Sequence, residues 1–172
     1  KLPDAFRAQC QPGGVSLVMT NPPWAGLVDG RISDHTVLAD YQVAHRWARE
    51  KDSNSYEPTA DLIGGIPPEY LFVERCTHWL APGGTLAIVL PKGILDNVEP
   101  ALTVRRYLFR NYQVLAVINC HKDTFQPYTG SRGCLIVAKK KQHPGDSRRY
   151  KIFMAINRKI GQDSEGVSVY KK

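Results

Sequence analysis

Short, almost wholly apolar runs alternate with amphipathic stretches between residues 15 and 119. Residues 15–19, 85–90 and 114–119 are runs of this kind, which are typical of strands covered on both faces of a sheet. Residues 70–80 and 100–111 lie between them and carry apolar side chains at helical spacing, so each is predicted to be a helix. This alternation predicts an α/β fold, in which parallel strands are joined by right-handed helical crossovers.

Two further apolar segments follow near the end of the chain. Residues 134–138 and 151–156 are predicted strands, and the sequence His-Pro-Gly-Asp at 143–146 lies in their connection. A turn of this composition favours an antiparallel pair. We therefore expect the sheet to end in an antiparallel β-hairpin.

A long polar stretch, residues 25–67, separates the first predicted strand from the first predicted helix. Only residues 36–49 show helical spacing of apolar side chains, so a single helix is predicted there. A connection of this length is usually functional or partly disordered. Two interpretations stay open: a segment that clamps a substrate, and a mobile loop whose basic residues are solvated. Residues 1–14 form a polar lead-in that ends in a turn.

Composition adds that one globular domain is sufficient. The chain has 172 residues, 42% hydrophobic and 23% charged, which is enough for a single core. No apolar run is long enough to span a bilayer and no leader begins at Lys1, so we expect a cytoplasmic protein without a membrane partner. The net charge of +7 suits a polyanion such as nucleic acid, although residues 139–141 are predicted to point part of that charge into solvent.

The four cysteines are predicted to be buried free thiols. Cys10, Cys76, Cys120 and Cys134 contain no C-x-x-C pair, and Cys76 and Cys134 lie in apolar segments. A zinc site and a Cys120 nucleophile assisted by His121 are both disfavoured, because adjacent residues on a strand point to opposite faces. No metal site is predicted.

Hydrogen-bond acceptors and an aromatic ring follow directly after the first predicted strand. Asn21 offers an amide oxygen, while Pro22 and Pro23 have no N–H and leave the carbonyls before them without a local partner. Trp24 adds a flat ring for stacking. Acceptors beside a ring suit the exocyclic amine of an aromatic base, whose lone pair they would localise. The same four residues are also an ordinary way to end a strand, and both interpretations stay open.

The sequence Asn21-Pro22-Pro23-Trp24 resembles the catalytic motif of amino-methyltransferases that use S-adenosylmethionine. The resemblance implies that Asn21 and the carbonyl of Pro22 hold the target amine, next to the methyl-bearing end of the cofactor. It implies that Trp24 stacks on an extruded base, and it carries Pro23 over as part of the same motif. S-adenosylmethionine is thus the expected cofactor.

Further along the chain, residues 69–75, 82–84, 89–91 and 93–97 are similar, in this order, to the modification subunits of type I restriction systems. Those subunits methylate the N6 amine of adenine in DNA. The resemblance therefore implies a site-specific DNA methyltransferase with a partial Rossmann-like sheet.

The loop at residues 124–130 is similar to the loop before the final hairpin in that family, where an aromatic contributes to the pocket for the flipped adenine. This implies a base-binding role for Phe125 or Tyr128 beside Trp24. The chain departs from the family directly after this loop. Where the family has a hydrophobic residue, Lys or Pro, and Thr, this chain has Ser131, Arg132 and Gly133.

One part of the family pattern has no counterpart in this sequence. Family members hold the methionine end of the cofactor with a glycine-rich turn upstream of the motif, and no G-x-G occurs here. The resemblance implies that residues 1–172 are the carboxyl-terminal half of a catalytic domain, either an expression fragment or a naturally split protein, with the main cofactor site absent. We expect weak binding of S-adenosylmethionine by this chain alone, and pairing with the missing half or self-association through the first strand.

Three functions compete on these observations. The leading hypothesis is methylation of adenine N6 in double-stranded DNA, with a specificity subunit or the missing amino-terminal half as protein partner. A methyltransferase of protein glutamine or of guanine N2 in RNA is the second, because such enzymes use a similar tetrapeptide. The third is a nucleic-acid-binding piece without turnover of its own.

Overall fold

The computed structural model of the chain describes residues 10–25, 30–51, 55–146 and 149–169. Residues 1–9 of the predicted lead-in, and residues 26–29 and 52–54 of the predicted insertion, lie outside the described residues. In chain order the elements are β1 (Val15–Thr20), α1 (His35–Leu38), a 3-10 turn (Gln42–Ala44), β2 (His45–Arg49), β3 (Tyr56–Leu62), α2 (Pro68–Trp79), β4 (Leu80–Pro91), α3 (Gly93–Asp96), α4 (Ala101–Asn111), β5 (Tyr112–Asn119), β6 (Gly133–Lys140) and β7 (Phe153–Ile156).

A five-stranded sheet in the spatial order β1, β4, β6, β5, β7 forms the centre of the fold. Strand β1 pairs in parallel with β4, and β5 pairs in parallel with β7. Strand β6 runs antiparallel to both of its neighbours. Four strands therefore point the same way, and their carboxyl ends share one edge of the sheet, which we call the carboxyl edge. The predicted α/β fold with a mostly parallel sheet is confirmed.

The predicted pairing of the last two strands is wrong. Strand β6 lies between β4 and β5, so both of its hydrogen-bonding edges are occupied. Strand β7 pairs instead with the free edge of β5, in parallel. The antiparallel hairpin of this sheet consists of β5 and β6, which the loop at residues 120–132 connects.

The two predicted crossover helices are confirmed, and both cover the same face of the sheet. Helix α2 begins with Pro68 in its first turn, a position where the missing N–H of proline costs nothing. The buried face of β4 presents Leu86, Ile88 and Leu90, and the helices place Val73 and Val104 in the same core. These five side chains are fully buried. No helix in the described part of the chain is long and apolar enough to cross a membrane.

The other face of the sheet is exposed at β1, which contradicts the expectation that residues 15–19 are covered on both sides. Leu17 is 50% exposed and Met19 is 74% exposed. Their partners on β4 are Thr85 and Ala87, which are only partly buried. The reason is that α2 and α4 both pack on the face of Leu86, and that β1 is an outer strand of the sheet.

The predicted helix over residues 36–49 is also wrong. Only α1 is helical there, and after the 3-10 turn the chain continues as β2, which pairs antiparallel with β3. The decisive contact is that of Trp47, whose ring is 6.3 Å from the ring of Tyr107 and whose Nε1 donates to the carbonyl of Gln42. Burial of this large side chain on α4 outweighs the helical spacing of smaller ones.

Charged side chains of α2 and α4 fasten this segment to the domain. The Glu74 carboxylate accepts from the amides of Gln42 (3.0 Å) and Val43 (2.9 Å). Arg106 lies 4.0 Å from the centroid of the Tyr56 ring, and the Arg110 guanidinium is 2.8 Å from the Glu57 carboxylate. Arg106 also donates to the carbonyl of Trp47, and Arg105 donates to that of Ile94. Through these contacts of Glu74, Arg106 and Arg110 the described part of the insertion is folded against the helices.

The lysines at residues 139–141 are not simply a solvated run. Lys140 Nζ donates to the carbonyls of Thr77 (2.7 Å) and Leu80 (2.6 Å), at the carboxyl end of α2. Lys141 Nζ donates to the carbonyl of Phe109, at the carboxyl end of α4. Such carbonyls carry partial negative charge and no helical partner, so both ammonium groups cap helices. Only Lys139 is exposed as predicted.

Candidate active site

The tetrapeptide that follows β1 lies at the carboxyl edge of the sheet. Strand β1 ends at Thr20, because Pro22 and Pro23 cannot donate to a ladder. Asn21 and Pro23 are exposed, while Pro22 is buried between them. The amide group of Asn21 is therefore open to a ligand at the edge where α/β proteins usually bind one.

An open cavity of about 610 Å³ begins at this tetrapeptide. All six residues that the sequence singles out line it: Asn21, Pro22, Pro23, Trp24, Phe125 and Tyr128. Ala25, Thr129 and Ser131 complete the lining. Two segments a hundred residues apart in sequence thus meet at one cavity, although their individual roles stay predictions.

Trp24 and Phe125 form a corner of this cavity, which we call the aromatic corner. Their ring centroids are 4.9 Å apart and their planes meet at 70°. The indole Nε1 makes a long hydrogen bond of 3.4 Å to the carbonyl of Val89. Gly133 lies directly beneath, since a Cβ there would be 2.6 Å from Phe125 Cε2 and 2.9 Å from Trp24 Cη2. The departure from the family pattern at Gly133 therefore makes room for both rings.

The loop that carries Phe125 and Tyr128 is held from the end of the chain. Gln162 Nε2 donates to the carbonyl of Asp123 at 2.9 Å and lies 3.4 Å from the carbonyls of Thr124 and Gln126. No sequence pattern points to this contact, because a glutamine in a polar stretch is not distinguished from its neighbours. Tyr128 lies beyond these contacts and is 94% exposed.

Glu69 is a second residue that sequence reasoning missed as part of the site. It lies in the first turn of α2 and is 3% exposed, and its Oε2 accepts from the amide of Ala25 at 2.8 Å. Burial raises the pKa of this carboxyl, because desolvation disfavours the charged form. The available signal was a carboxylate at an otherwise buried helical position. Glu69 thus fixes the backbone directly after Trp24.

The chemistry of the lining is that of hydrogen-bond acceptors and rings. None of the described residues that line the cavity is a carboxylate, an imidazole or a cationic side chain. Asn21 supplies an amide acceptor, and Pro23 leaves the carbonyl of Pro22 without a neighbouring N–H. Such an arrangement can orient an amino group and stack its ring, and it provides no acid–base pair.

A family model described as N-6 DNA Methylase matches residues 4–168 of the chain. The chain belongs to this family. No curated protein matches it in sequence at a significant level. The matched range includes every strand of the central sheet and both segments that line the cavity.

Solved structures similar to this N-6 DNA methylase chain share its fold. The methyltransferase subunit of a type I restriction-modification system from Streptococcus thermophilus has a TM-score of 0.61 and 19% identity, over 92% of this chain and 29% of that one. A protein of Listeria monocytogenes assigned to the class I S-adenosylmethionine-dependent methyltransferases has a TM-score of 0.55 and 15% identity, over 83% and 36%. The type ISP restriction-modification enzyme LlaGI, solved with a DNA substrate mimic, has a TM-score of 0.56 and 16% identity, over 88% and 13%. The chain thus spans about a third or less of the length of each.

The cysteines of this N-6 DNA methylase chain are not part of the cavity. Cys76 and Cys134 are buried as predicted, whereas Cys10 and Cys120 are only partly so, and all four are free thiols. Burial raises the pKa of Cys76 to about 11 and that of Cys134 to about 12, so both stay protonated at neutral pH. Within the described ranges, no group of three or more His, Cys, Asp or Glu side chains could hold a metal ion.

The described residues fit only one end of S-adenosylmethionine. Asn21 and Pro22 border the cavity and offer acceptors, while the ribose hydroxyls and the methionine carboxylate need further polar partners. In the part of the chain that the structure describes, nothing pairs with the outer edge of β1, next to these residues. Further residues for a cofactor would lie along that edge.

Proposed function

We propose that the whole protein containing this chain transfers a methyl group to the N6 amine of adenine in DNA, as the modification subunit of a type I restriction system or a related defence system. The observation that carries the proposal is the shared cavity of Asn21, Trp24 and Phe125 at the carboxyl edge. Membership of the N-6 DNA methylase family supports the same acceptor.

S-adenosylmethionine is the proposed methyl donor, and when bound it supplies an electrophilic methyl group on a sulfonium. In this proposal Asn21 and Pro22 contact the methyl-bearing end. The rest of the cofactor is held by residues other than the described ones, on the open side of β1. Residues 1–172 then form the carboxyl-terminal half of the catalytic domain.

Asn21 and Pro22 would prepare the amine for attack. The amide oxygen of Asn21 and the carbonyl of Pro22 accept hydrogen bonds from the two N–H groups of the amine. These bonds localise the nitrogen lone pair, which is otherwise delocalised into the adenine ring, and orient it toward the methyl group. Acceptors aligned in advance stabilise the transition state without reorganising during the reaction. The amine needs no general base before it attacks, and the described residues of the lining include no carboxylate or imidazole.

The aromatic corner would receive the extruded base. A ring sandwiched between two others needs about 7 Å between them, because stacked carbon atoms lie about 3.5 Å apart. Trp24 and Phe125 are 4.9 Å apart and nearly perpendicular, so the base cannot enter between them and stacks on one open face. Tyr128 is 94% exposed on the same cavity and is the candidate for closing over the other face of the base.

Asn21→Ala in the whole protein tests the assignment. We expect the single-turnover rate of methyl transfer to an adenine-containing duplex to fall by about a hundredfold or more, with nearly unchanged cofactor affinity, because the lost acceptor acts in the transition state. Asn97→Ala is the matched control, since Asn97 is exposed and lies outside the cavity. A near-normal rate for Asn21→Ala would refute the role of Asn21.

Parallel assays with RNA and with a glutamine-containing peptide separate the other acceptors. Guanine N2 and a glutamine amide have the same kind of N–H donors, so Asn21 and Trp24 fit them chemically. The family match favours adenine. Methylation of the peptide or of RNA in place of DNA would overturn the proposed substrate, and binding without transfer to any of the three would favour a non-catalytic nucleic-acid-binding role.

The proposed partners follow from the same function. They are double-stranded DNA, a specificity subunit, and the amino-terminal half of the catalytic domain, with cytoplasm as the location. The exposed side chains of Leu17 and Met19 on an outer strand support association with further polypeptide, including a second copy of the chain.

A further inference from the structure

Four exposed cations follow the carboxyl edge of the sheet beyond the cavity. They are Lys122, Arg132, Arg158 and Lys159, and together we call them the basic rim. None of their side chains makes an ion pair or a hydrogen bond with another described residue. Of the carboxylates nearby, Asp96 pairs with Lys92, Asp123 lies 3.6 Å from His121, and Asp163 accepts from the amides of Glu165 and Val167, which leaves Glu165 as an exposed negative charge beside the four cations. The rim therefore has positive charge available for a ligand.

The topology brings these four residues into one row. Lys122 follows β5, Arg132 precedes β6, and Arg158 and Lys159 follow β7. Backbone hydrogen bonds tie the three strand ends together, from Cys120 to Gly133 (3.0 Å) and from Asn157 to Asn119 (2.9 Å). Neighbouring strands are about 4.8 Å apart, so the row from β6 to β7 spans about 10 Å. That is the rise of about three nucleotides of one DNA strand.

The row is continuous with the cavity. Arg132 directly follows Ser131, which lines the cavity, and Lys122 belongs to the loop that carries Phe125 and Tyr128. A nucleotide whose base reaches the aromatic corner therefore has its neighbours in the strand beside the rim.

Cations at the opposite edge of the sheet are differently placed. The ammonium groups of Lys140 and Lys141 bind carbonyls at the ends of α2 and α4, which offset their charge. Lys139, Arg149 and Lys151 are exposed there, far from the cavity along the strands. These three residues supply a control of equal charge.

We propose that the basic rim binds the phosphates of the DNA strand that carries the target adenine, flanking the extruded nucleotide. The proposal rests on the proposed function, since it names the part of the substrate that lies outside the cavity. Charge complementarity with a polyanion and continuity with the base-binding cavity carry it.

The test compares two triple variants of the whole protein that lose the same charge. The rim variant is Lys122→Gln, Arg132→Gln and Arg158→Gln, and the control is Lys139→Gln, Arg149→Gln and Lys151→Gln. The Kd for a fluorescein-labelled duplex containing one adenine target is measured by anisotropy between about 50 and 200 mM KCl, a range over which phosphate contacts change affinity strongly. The rim variant should bind at least about tenfold more weakly at the higher salt, and its slope of log K against log salt should shrink by up to about 2.7, or about 0.9 for each lost contact.

The control variant should keep the affinity and slope of the wild type. Equal weakening by both variants would show a general charge effect and overturn the proposal, as would an unchanged rim variant. In methylation assays the rim variant should raise KM for DNA far more than it lowers kcat, which a folding defect would not do. Failure of the proposed function is separate, because it appears as absent methyl transfer by the wild type while the anisotropy needs no transfer.

Discussion

Trp24 and Phe125 touch each other at the cavity, yet the chain fixes their backbones by different means. The Trp24 side continues a strand of the sheet and is held by a buried carboxylate, that of Glu69, at the amide of Ala25. The Phe125 side is a loop held by the neutral amide of Gln162. Two buried oxygens of the second side, Asn119 Oδ1 and Thr124 Oγ1, have no hydrogen-bond partner among the described residues.

This difference indicates that the backbone on the Trp24 side of the cavity is held rigidly, whereas the loop on the Phe125 side can change conformation. A strand end held by a buried carboxyl group resists displacement, because breaking the contact would leave the buried carboxyl and the amide of Ala25 without their hydrogen-bond partners. A loop held by long hydrogen bonds, with buried oxygens that lack partners, is displaced at a smaller cost in free energy. The base would therefore meet a fixed surface at Trp24 and a closing one at Tyr128. Four substitutions test this comparison, in order of their expected effect on the free energy of unfolding.

Gly133→Ala should have the largest effect, because its Cβ would overlap both rings of the aromatic corner. We expect a loss of about 3 kcal/mol of stability, the upper range for overpacking, and a loss of stacking on the base. Thermal unfolding and the fluorescence of a duplex with 2-aminopurine at the target position measure the two effects. Gly130→Ala is the control, since its Cβ would meet only Gln126 Nε2 at 3.7 Å. Similar behaviour of the two variants would show that the corner tolerates the added methyl group.

Glu69→Ala should cost about 1–2 kcal/mol, because the amide of Ala25 loses its acceptor. Glu69→Gln keeps an acceptor and removes the titration, so it is the matched variant. Burial raises the pKa of Glu69 in the folded chain, so its stabilising contribution is full below the ordinary value of 4.5 and is lost as pH rises through the folded pKa.

Chemical unfolding of wild type and Glu69→Gln at several pH values above 4.5 follows this effect. The Gln variant should gain stability relative to the wild type as pH rises, while variants of Gln162 should show no such trend. A constant difference across pH would mean that Glu69 has an ordinary pKa and that the two sides are not anchored differently.

Gln162→Ala should cost about 1 kcal/mol, since one good hydrogen bond and two long ones are lost. Its effect should concentrate in the loop, with faster amide hydrogen exchange at residues 123–128 and unchanged exchange at Ala25. Gln142→Ala, an exposed glutamine at the opposite edge, is the control. Faster exchange at Ala25 would contradict the independence of the two sides.

Tyr128→Ala should leave the free energy of unfolding unchanged, because the side chain is 94% exposed. It should nevertheless weaken binding of the duplex by about 1–3 kcal/mol, the usual value of one base–aromatic stack. Tyr128→Phe should restore the affinity, since stacking needs the ring and not the hydroxyl. A lower melting temperature with normal affinity would assign Tyr128 to packing.

Parts of the fold with a local pattern were predictable from the sequence, and contacts between distant residues were not. Strand β4 and helix α4 have continuous or periodic apolar side chains; the position of α4 is confirmed within one residue, whereas β4 contains the predicted strand and begins five residues before it. The segment around Trp47 was mispredicted because its structure depends on Tyr107, which is distant in sequence. The partner of β7 was mispredicted because the sequence of an apolar strand does not indicate which neighbouring strand has a free hydrogen-bonding edge.

The candidate site shows the same division. Asn21 and Trp24 were found because four adjacent residues carry the motif, and Phe125 and Tyr128 because their loop resembles a known one. Glu69 and Gln162 act on backbone groups 44 and 39 residues away and leave no pattern in the sequence. Gly133 was noticed only as a departure from a family pattern, and its reason is steric.

The open face of the sheet makes the stability of this chain a matter of mass action. Leu17 and Met19 are exposed in the folded chain on a surface that no longer exists when the chain unfolds. Any molecule that covers this surface binds the folded state alone and stabilises it by RT ln(1 + [L]/Kd), about 2.7 kcal/mol at a hundredfold excess over Kd. Binding of such a molecule would raise the melting temperature of the chain, and the rise would grow with the concentration of that molecule.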